Sequence, residues 1–282
     1  MEIINKISEI RDSLSKERLE KKTIAFVPTM GFLHEGHLSL VKKAVEENDI
    51  VVVSIFVNSK QFGPDEDYDD YPRDIKGDAE KLSEYGVDYV FAPSSDEIYN
   101  PNNKTIVRVE KLSEHLCGLS RKGFFQGIAI IVTKLFNIIQ PDYAYFGQKD
   151  FQQFLVLKQM VNDLNIPVEL VMAPIVREKD GLAMSSRNNY LNLEEREAAT
   201  ILFKALNKGK EMVLNGEKDA KIVKSAMTEM IENEVLADID YVAVADPDTL
   251  NDLEKINKKV LLATAVLINE TRLIDNIYLE LQ

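Results

Sequence analysis

The chain has 282 residues and a formal net charge of −13 at pH 7, with 47 acidic against 34 basic side chains. This balance argues against a nucleic-acid-binding surface, which needs a basic stripe, whereas a few local cations still permit a small anionic ligand. Cys117 is the only cysteine and there are three histidines, so neither a disulfide framework nor a metal cluster rich in these residues is expected. The length suffices for one large or two ordinary domains.

The N-terminal stretch MEIINKISEIRDSL repeats isoleucine and leucine at helical spacing, with acidic residues between them. It predicts a packed helix running from Ile3 to Leu14 instead of a signal peptide. No apolar run approaches the roughly 20 residues that span a bilayer. We therefore expect a cytoplasmic enzyme that acts on small molecules, without nucleic-acid or membrane partners.

The segment Thr23–Ser39, TIAFVPTMGFLHEGHLS, predicts a buried strand over 24–27, ended by Pro28, then a loop and a helix over 36–48. His34 and His37 fall between the strand and the helix N-terminus. Unpaired backbone N–H groups and the positive end of the helix dipole attract anions to that place. Two imidazoles there indicate a site for phosphate groups, and a plain surface loop is an equally good interpretation of this spacing alone.

Strands and helices alternate along the rest of the first 176 residues. The strands are predicted at 49–58, 87–92, 142–146 and 167–176, with an edge strand at 105–109, and the helices at 75–85, 127–139 and 151–164. The alternation predicts an α/β fold with a doubly wound parallel sheet, which binds ligands beyond the carboxyl ends of its strands. After Arg187, helices at 193–214 and 220–235 and strands at 239–245, 260–268 and 271–279 predict a smaller α+β domain.

Amides, hydroxyls and cations recur just after the predicted strands, as an α/β enzyme requires. Four clusters hold them: Met30 with His34 and His37, residues 58–63 with Tyr71, residues 146–153, and residues 177–188. Each cluster has an ordinary structural alternative, such as a strand cap or a helix N-cap at Ser185. The acidic run 65–70 is interpreted as a solvated loop, with part of a lid or a magnesium site as the alternative.

Four sequence blocks resemble the signatures of the pantothenate synthetase (pantoate–β-alanine ligase) family. They are PTMGFLHEGHLSL, FVNSKQFGPDEDYDDYPR, YFGQKDFQQ and REKDGLAMSSRNNYL, in this order between about residues 23 and 191. The His-x-Gly-His element alone would indicate only the wider nucleotidyltransferase superfamily. The resemblance implies a Rossmann-like ATP- and pantoate-binding domain (1–176), a hinge with a phosphate-binding loop (177–187) and a C-terminal lid domain (188–282).

The resemblance also implies the reaction. It is ATP-dependent ligation of pantoate and β-alanine to pantothenate through a pantoyl-adenylate, with release of AMP and pyrophosphate, by a homodimer that uses Mg²⁺. The residues matching the catalytic positions are His34, His37, Lys149, Ser185, Ser186 and Arg187. The other matches to the ATP site are Pro28, Thr29, Met30, Gly147, Asp150, Val176 and Met184. Matches to the pantoate site are Met30, Gln61, Phe62 and Gln153, to the β-alanine end Asn58 and Tyr71, and to a metal ligand Asp78.

Three positions depart from the family pattern. Ser59 and Lys122 stand where proline is usual, and Phe124 stands where histidine is usual, so any binding role of that histidine does not carry over. The alternative enzyme is a nucleotidyltransferase of the same superfamily that acts on another small acceptor. The non-enzymatic alternative is a nucleotide-sensing module. A tRNA-charging enzyme is disfavoured by the acidic charge and by the lack of room for an anticodon-reading domain.

Overall fold

The structure is a computed structural model that describes residues 1–64 and 66–281, and within it the chain divides into two compact units. The first comprises residues 1–110, 121–147 and 153–174, and the second comprises residues 111–120, 148–152 and 175–282. This division differs from the sequence-based one. The segments 111–120 and 148–152, which the sequence analysis assigned to the first domain, pack with the second unit, and so does the predicted hinge 177–187.

The first unit is built on a six-stranded parallel sheet with the spatial order β1-β4-β3-β2-β5-β6. Its strands are β1 Glu2–Ile4, β2 Ile24–Thr29, β3 Ile50–Ile55, β4 Tyr89–Phe91, β5 Tyr143–Gly147 and β6 Glu169–Ala173. The predicted α/β class is therefore confirmed. After β2 the chain adds β3 and β4 on one side of the sheet, and then β5 and β6 on the other side. Strand β2 therefore lies at the switch point where such sheets place their ligands.

α-Helices connect most pairs of successive strands. In chain order they are α1 Ile7–Leu19, α2 Glu35–Glu47, α3 Ile75–Ser83, α4 Ser95–Ile98, α5 Cys117–Ser120, α6 Phe124–Ile139, α7 Phe151–Asp163, α8 Leu193–Ala198, α9 Ile201–Leu214 and α10 Ala220–Glu232. No described helix combines the length and apolarity needed to cross a membrane.

Both faces of β2 are covered, which explains its continuous apolar sequence. Ala25 and Val27 join the same core cluster as Val41 and Ala44 of α2. Between them Phe26 faces the other way, and its ring packs edge-on against Phe136 of α6, with ring centroids 6.3 Å apart. The core of this unit therefore holds the central strand between two helical layers.

The predicted end of β2 at Pro28 is wrong, because β2 continues to Thr29 with Pro28 opposite Ser54 of β3. Backbone groups alternate sides along a strand, and the Ile24 carbonyl accepts from Asp142 on the β5 side. Pro28 therefore directs its missing N–H to the β5 side as well. Pairing between β2 and β5 covers only Ala25 and Phe26, so no ladder hydrogen bond is lost there.

Three other predictions need correction. Ile3 belongs to β1 and not to a helix, because Glu2–Ile4 pairs with β4 and the first helix begins at Ile7. Residues 105–109 form no strand, and Ile106 is exposed while Val109 is buried. The helix predicted at 193–214 is two helices, separated at Thr200, whose hydroxyl bonds the Glu197 carbonyl.

The second unit contains a three-stranded antiparallel sheet in the order β7-β8-β9, with β7 Ala237–Ala245, β8 Lys259–Ile268 and β9 Thr271–Glu280. Helices α9 and α10 share one hydrophobic core with this sheet. Leu206 of α9 and Met227 of α10 belong to the same buried cluster as Leu262 and Val266 of β8. The predicted α+β character of the C-terminal region is confirmed.

Candidate active site

The loop after β2 and the start of α2 carry the two histidines. His34 is the N-cap of α2, and its Nδ1 accepts a hydrogen bond from the backbone N–H of Gly36 at 3.1 Å. His37 lies in the first turn, and its Nδ1 accepts from the backbone N–H of His34 at 3.4 Å. The ring centroids are 4.0 Å apart, and both side chains are half-buried. The structure thus brings this predicted pair together at a helix N-terminus.

These contacts decide which ring nitrogen carries the proton. A backbone N–H can only donate, so Nδ1 of both rings accepts and the neutral imidazoles are protonated at Nε2. Each ring therefore carries its N–H at Nε2. Together with the positive end of the α2 dipole, this arrangement suits an anion such as a phosphate.

Helix α3 holds the loop that precedes the histidines. The backbone N–H groups of Phe32 and Leu33 donate to the two carboxylate oxygens of Asp78, each at 2.7 Å, and Lys81 donates to the Leu33 carbonyl. Burial raises the pKa of Asp78, and these two backbone donors oppose that rise. Gly31 has a φ of +85°, and a Cβ there would lie 2.9 Å from Ile55 and 3.0 Å from Asp78.

The predicted metal role of Asp78 does not fit this environment. Asp78 is 1% exposed, and both of its oxygens are bound to backbone N–H groups of the loop. Thr29 likewise turns its hydroxyl inward, donating to the Ser54 carbonyl and accepting from the Gly31 N–H. We therefore assign both side chains to the shape of the loop. Pro28 and Met30, on either side of Thr29, are only half-buried.

A short 3₁₀ turn over residues 59–61 follows β3 and carries Gln61. The Gln61 Nε2 lies 3.0 Å from the sulfur of Met30, so two predicted pantoate residues meet. Phe62 packs edge-on against Tyr68 and Tyr71, with centroids 5.4 and 5.8 Å away. Tyr71 is 5% exposed and supports this aromatic cluster from inside the unit.

Asn58 was predicted at the β-alanine end, and the structure gives it another role. It is 1% exposed, and all four of its amide hydrogen-bonding positions are used within the protein. No capacity is left for a substrate, so Asn58 supports the site from behind. In the acidic run, Asp65 lies outside the described residues, while Asp69 and Asp70 are exposed.

The departure at Phe124 has a structural explanation. The Arg121 guanidinium lies over the Phe124 ring, 3.5 Å from its centroid, and forms an ion pair with Glu66 at 2.5 Å. Arg121 also donates to the Gln61 carbonyl at 3.4 Å. Phe124 therefore supports an arginine that holds the Gln61 turn. Lys122 is exposed, and Ser59 begins the 3₁₀ turn.

The segment 148–152, which carries Lys149 and Asp150, is held by β9 within the second unit. Asn276 is 3% exposed, and its Nδ2 donates to the carbonyls of Gln148 and Lys149 at 3.0 and 2.9 Å. Its Oδ1 accepts from the Gln148 side chain. Sequence reasoning missed Asn276, because the partners are 127 or more residues apart in the chain and no local pattern indicates the contact.

The neighbouring residue of β9 holds the segment 177–187. Asp275 is 2% exposed and forms a bidentate ion pair with Arg177, with distances of 2.5 and 2.9 Å. Burial raises the pKa of Asp275, while Arg177 and, at longer range, Lys149 oppose that rise. Two successive side chains of one strand therefore position both predicted phosphate-binding segments.

The segment 177–187 folds back on itself. The backbone N–H of Met184 donates to the Val176 carbonyl at 3.0 Å, which brings together the two residues predicted for the adenine side. Ser185 caps the following 3₁₀ turn by accepting from the Arg187 N–H. This agrees with the alternative interpretation of Ser185 as an N-cap. Ser186 is buried and Arg187 is half-buried. Gly147 and Gln153, the remaining predicted residues, belong to the first unit and are half-buried.

Comparisons with known proteins agree with this architecture. A model of the family described as pantoate-beta-alanine ligase matches residues 2–278. The chain belongs to this family. It is 54% identical over 280 residues to a pantothenate synthetase from Caldicellulosiruptor bescii, covering 99% of both chains.

Two crystal structures are similar over nearly the whole chain. Pantothenate synthetase from Thermus thermophilus has a TM-score of 0.94 at 44% identity, covering 98% of this chain and 99% of its own. Pantoate-beta-alanine ligase from Francisella tularensis, complexed with beta-gamma ATP and beta-alanine, has a TM-score of 0.79 at 33% identity, covering 98% and 97%. The family resemblance found in the sequence is therefore confirmed.

The contacts of Asp78 predict a structural role that is independent of metal. An Asp78→Asn variant keeps one acceptor but turns an NH₂ group toward a backbone N–H. We expect the free energy of unfolding to fall by about 1–2 kcal/mol, because relief of carboxylate desolvation offsets part of the loss. Urea unfolding in EDTA measures it, with the exposed Asp96→Asn as control. A loss of stability seen only when Mg²⁺ is added would contradict this assignment.

The contacts of Asn276 predict an effect on ATP. An Asn276→Ala variant releases the carbonyls of Gln148 and Lys149, and two lost hydrogen bonds correspond to about a tenfold lower kcat/KM for ATP. Initial-rate kinetics measure this change. Asn233→Ala is the matched control in the same unit, because its amide bonds only the Glu229 carbonyl of its own helix. A folded Asn276 variant with unchanged kcat/KM for ATP would overturn the positioning role.

Proposed function

We propose that the protein joins pantoate to β-alanine at the expense of ATP, forming pantothenate, AMP and pyrophosphate through a pantoyl-adenylate. The observation that carries this proposal is membership of the pantoate-beta-alanine ligase family over residues 2–278, with 54% identity to a pantothenate synthetase over 280 residues. The ATP and β-alanine bound to the Francisella tularensis relative support the assignment of these two substrates.

In the first step the pantoate carboxylate attacks the α-phosphate of ATP. Negative charge then increases on the phosphoryl oxygens and on the leaving pyrophosphate, so catalysis consists mainly of positioning and charge stabilisation. His34 and His37 suit this task, because Nδ1 of each ring accepts from a backbone N–H at the N-terminus of α2, which leaves the ring proton on Nε2. Neither imidazole has to transfer a proton in this scheme.

The remaining cation and hydroxyl donors are those of residues 149 and 185–187. We assign Lys149, Ser185, Ser186 and Arg187 to the β- and γ-phosphates. Asp275 and Asn276 support this assignment, since they tie both segments to adjacent residues of one strand. Asp150 and Gly147 are assigned to the ribose, and Val176 and Met184 to the adenine side.

In the second step the β-alanine amine attacks the acyl carbon of the adenylate, and AMP leaves. The scheme needs no covalent enzyme intermediate. Cys117, the only cysteine, is buried, and its backbone N–H is bound by Gln152 within the second unit. Water exclusion during this step is assigned to the C-terminal domain acting as a lid, as the family resemblance implies.

Mg²⁺ is proposed as the ion that accompanies the ATP phosphates. Within residues 1–64 and 66–281, no group of three or more His, Cys, Asp and Glu side chains is placed to hold a metal. Asp78 does not fit a metal site either, for the reason given above. An ion held mainly by phosphate oxygens and water agrees with the coordination that Mg²⁺ prefers.

A homodimer is part of the proposal, on family resemblance alone. Strand β3 does not supply its surface. All six residues of β3 are buried between β2 and β4. Sedimentation equilibrium of the purified protein measures the assembly directly.

Pyrophosphate release from ATP tests the function. With the purified protein, we expect a small burst when pantoate is added and sustained turnover once β-alanine follows. Turnover with another acceptor and no need for an amine would favour the nucleotidyltransferase. ATP binding without any pyrophosphate release would favour the nucleotide-sensing module.

The histidine roles predict a specific kinetic defect. We expect His34→Ala and His37→Ala to fold, and to slow adenylation by roughly 10²-fold or more, as for the loss of a charge-stabilising donor. Single-turnover formation of AMP-linked product measures the step. His115→Ala, at the third histidine of the chain, is the matched control. Near-normal adenylation in both active-site variants would contradict the assignment.

A further inference from the structure

The orientation of the Asn58 amide is set by backbone groups of fixed polarity. The Gly127 carbonyl can only accept, and it lies 3.0 Å from Asn58 Nδ2. The Lys60 N–H can only donate, and it lies 3.3 Å from Asn58 Oδ1. If the amide oxygen and nitrogen were exchanged, two acceptors would face each other at the Gly127 contact and two donors at the Lys60 contact. Asn58 therefore has one allowed orientation.

The orientation of Asn58 in turn determines the orientation of the Gln61 amide. The same Asn58 Nδ2 lies 2.9 Å from Gln61 Oε1, so the Gln61 oxygen accepts. Gln61 Nε2 then lies on the other side of the amide, where it is 3.0 Å from the Met30 sulfur. A ligand beside Met30 meets N–H groups of Gln61 and not its carbonyl oxygen.

Tyr99 completes the arrangement. Its hydroxyl is 2.7 Å from Asn58 Oδ1 and must donate, because that oxygen carries no hydrogen. Tyr99 is 9% exposed, and its ring packs against Phe56 with centroids 6.1 Å apart. Burial raises the pKa of the phenol, so the hydroxyl keeps its proton throughout the physiological range.

Close packing between α6 and the turn at 59–61 keeps these groups in register. A Cβ on Gly127 would lie 2.0 Å from the Lys60 carbonyl oxygen, so only glycine lets the helix backbone approach the turn. The Gly127 carbonyl can then reach Asn58.

We propose that Asn58, which the Tyr99 hydroxyl helps to hold in place, is a positioning residue that fixes the polarity of Gln61, so that the Gln61 amide nitrogen recognises a hydrogen-bond acceptor of the ligand. This inference rests on the proposed function, in which Gln61 contacts pantoate. The ligand group facing Gln61 Nε2 is then a carboxylate or hydroxyl oxygen of the acid. An ammonium group, which only donates, is rejected there.

The first test removes one hydroxyl and keeps the ring. In Tyr99→Phe, Asn58 Oδ1 loses its strongest donor, and we expect the KM for pantoate to rise about three- to tenfold. The kcat and the KM for ATP should stay within about twofold. Tyr145→Phe is the matched control, because Tyr145 is also buried but bonds Glu47 and Asn48. It should leave the KM for pantoate unchanged.

A double-mutant cycle separates positioning from a general structural effect. If Tyr99 acts through Gln61, Tyr99→Phe should have no further effect on pantoate in a Gln61→Ala background. The same fold-change in the KM for pantoate in both backgrounds would contradict the effect of Tyr99 through Gln61. Gln61→Glu supplies a second test that does not depend on the buried tyrosine. It removes the donor and adds a negative charge, so the KM for pantoate should rise more than in Tyr99→Phe.

The outcomes distinguish this inference from the proposed function. No pantoate-dependent pyrophosphate release by the wild-type protein would contradict the function, and the inference with it. Wild-type turnover of pantoate together with an unchanged KM in folded Tyr99→Phe and Gln61→Glu would contradict the inference alone.

Discussion

The pairing of buried polar groups with backbone groups of fixed polarity is the constraint on which this site depends. A backbone N–H only donates and a carbonyl only accepts, so a buried amide or imidazole beside one of them has its orientation decided. Backbone N–H groups orient His34 and His37, and the Gly127 carbonyl orients Asn58. The direction in which each side chain can donate to a ligand follows from these pairings.

In the second unit the same constraint acts between residues that are far apart in the sequence. Asp275 and Asn276 are both buried in β9, where an unpaired carboxylate or amide would be unfavourable. Each is satisfied by a segment distant in sequence, Arg177 for the first and residues 148–149 for the second. The register of one strand thereby sets the spacing between two segments with assigned phosphate-binding residues.

A substitution relative to the family pattern can be tolerated when neighbouring residues pack against the new side chain. Phe124 has no donor to replace that of the usual histidine, yet its ring supports the Arg121 guanidinium. Arg121 in turn pairs with Glu66 and contacts the Gln61 carbonyl. At this position the chain therefore uses a cation–π contact to support Arg121.

The sequence by itself determined the α/β class, the order of most elements, the histidine pair at a helix N-terminus and the family. Those conclusions depend on local periodicity and on short blocks whose residues are close in the chain. Only the tertiary structure decided that Asp78 and Asn58 support loops, that Tyr99 bonds Asn58 from 41 residues away, and that Asn276 bonds Lys149 from 127 residues away. Such contacts are invisible in sequence, because burial and pairing depend on which distant backbone groups the fold brings within hydrogen-bond distance.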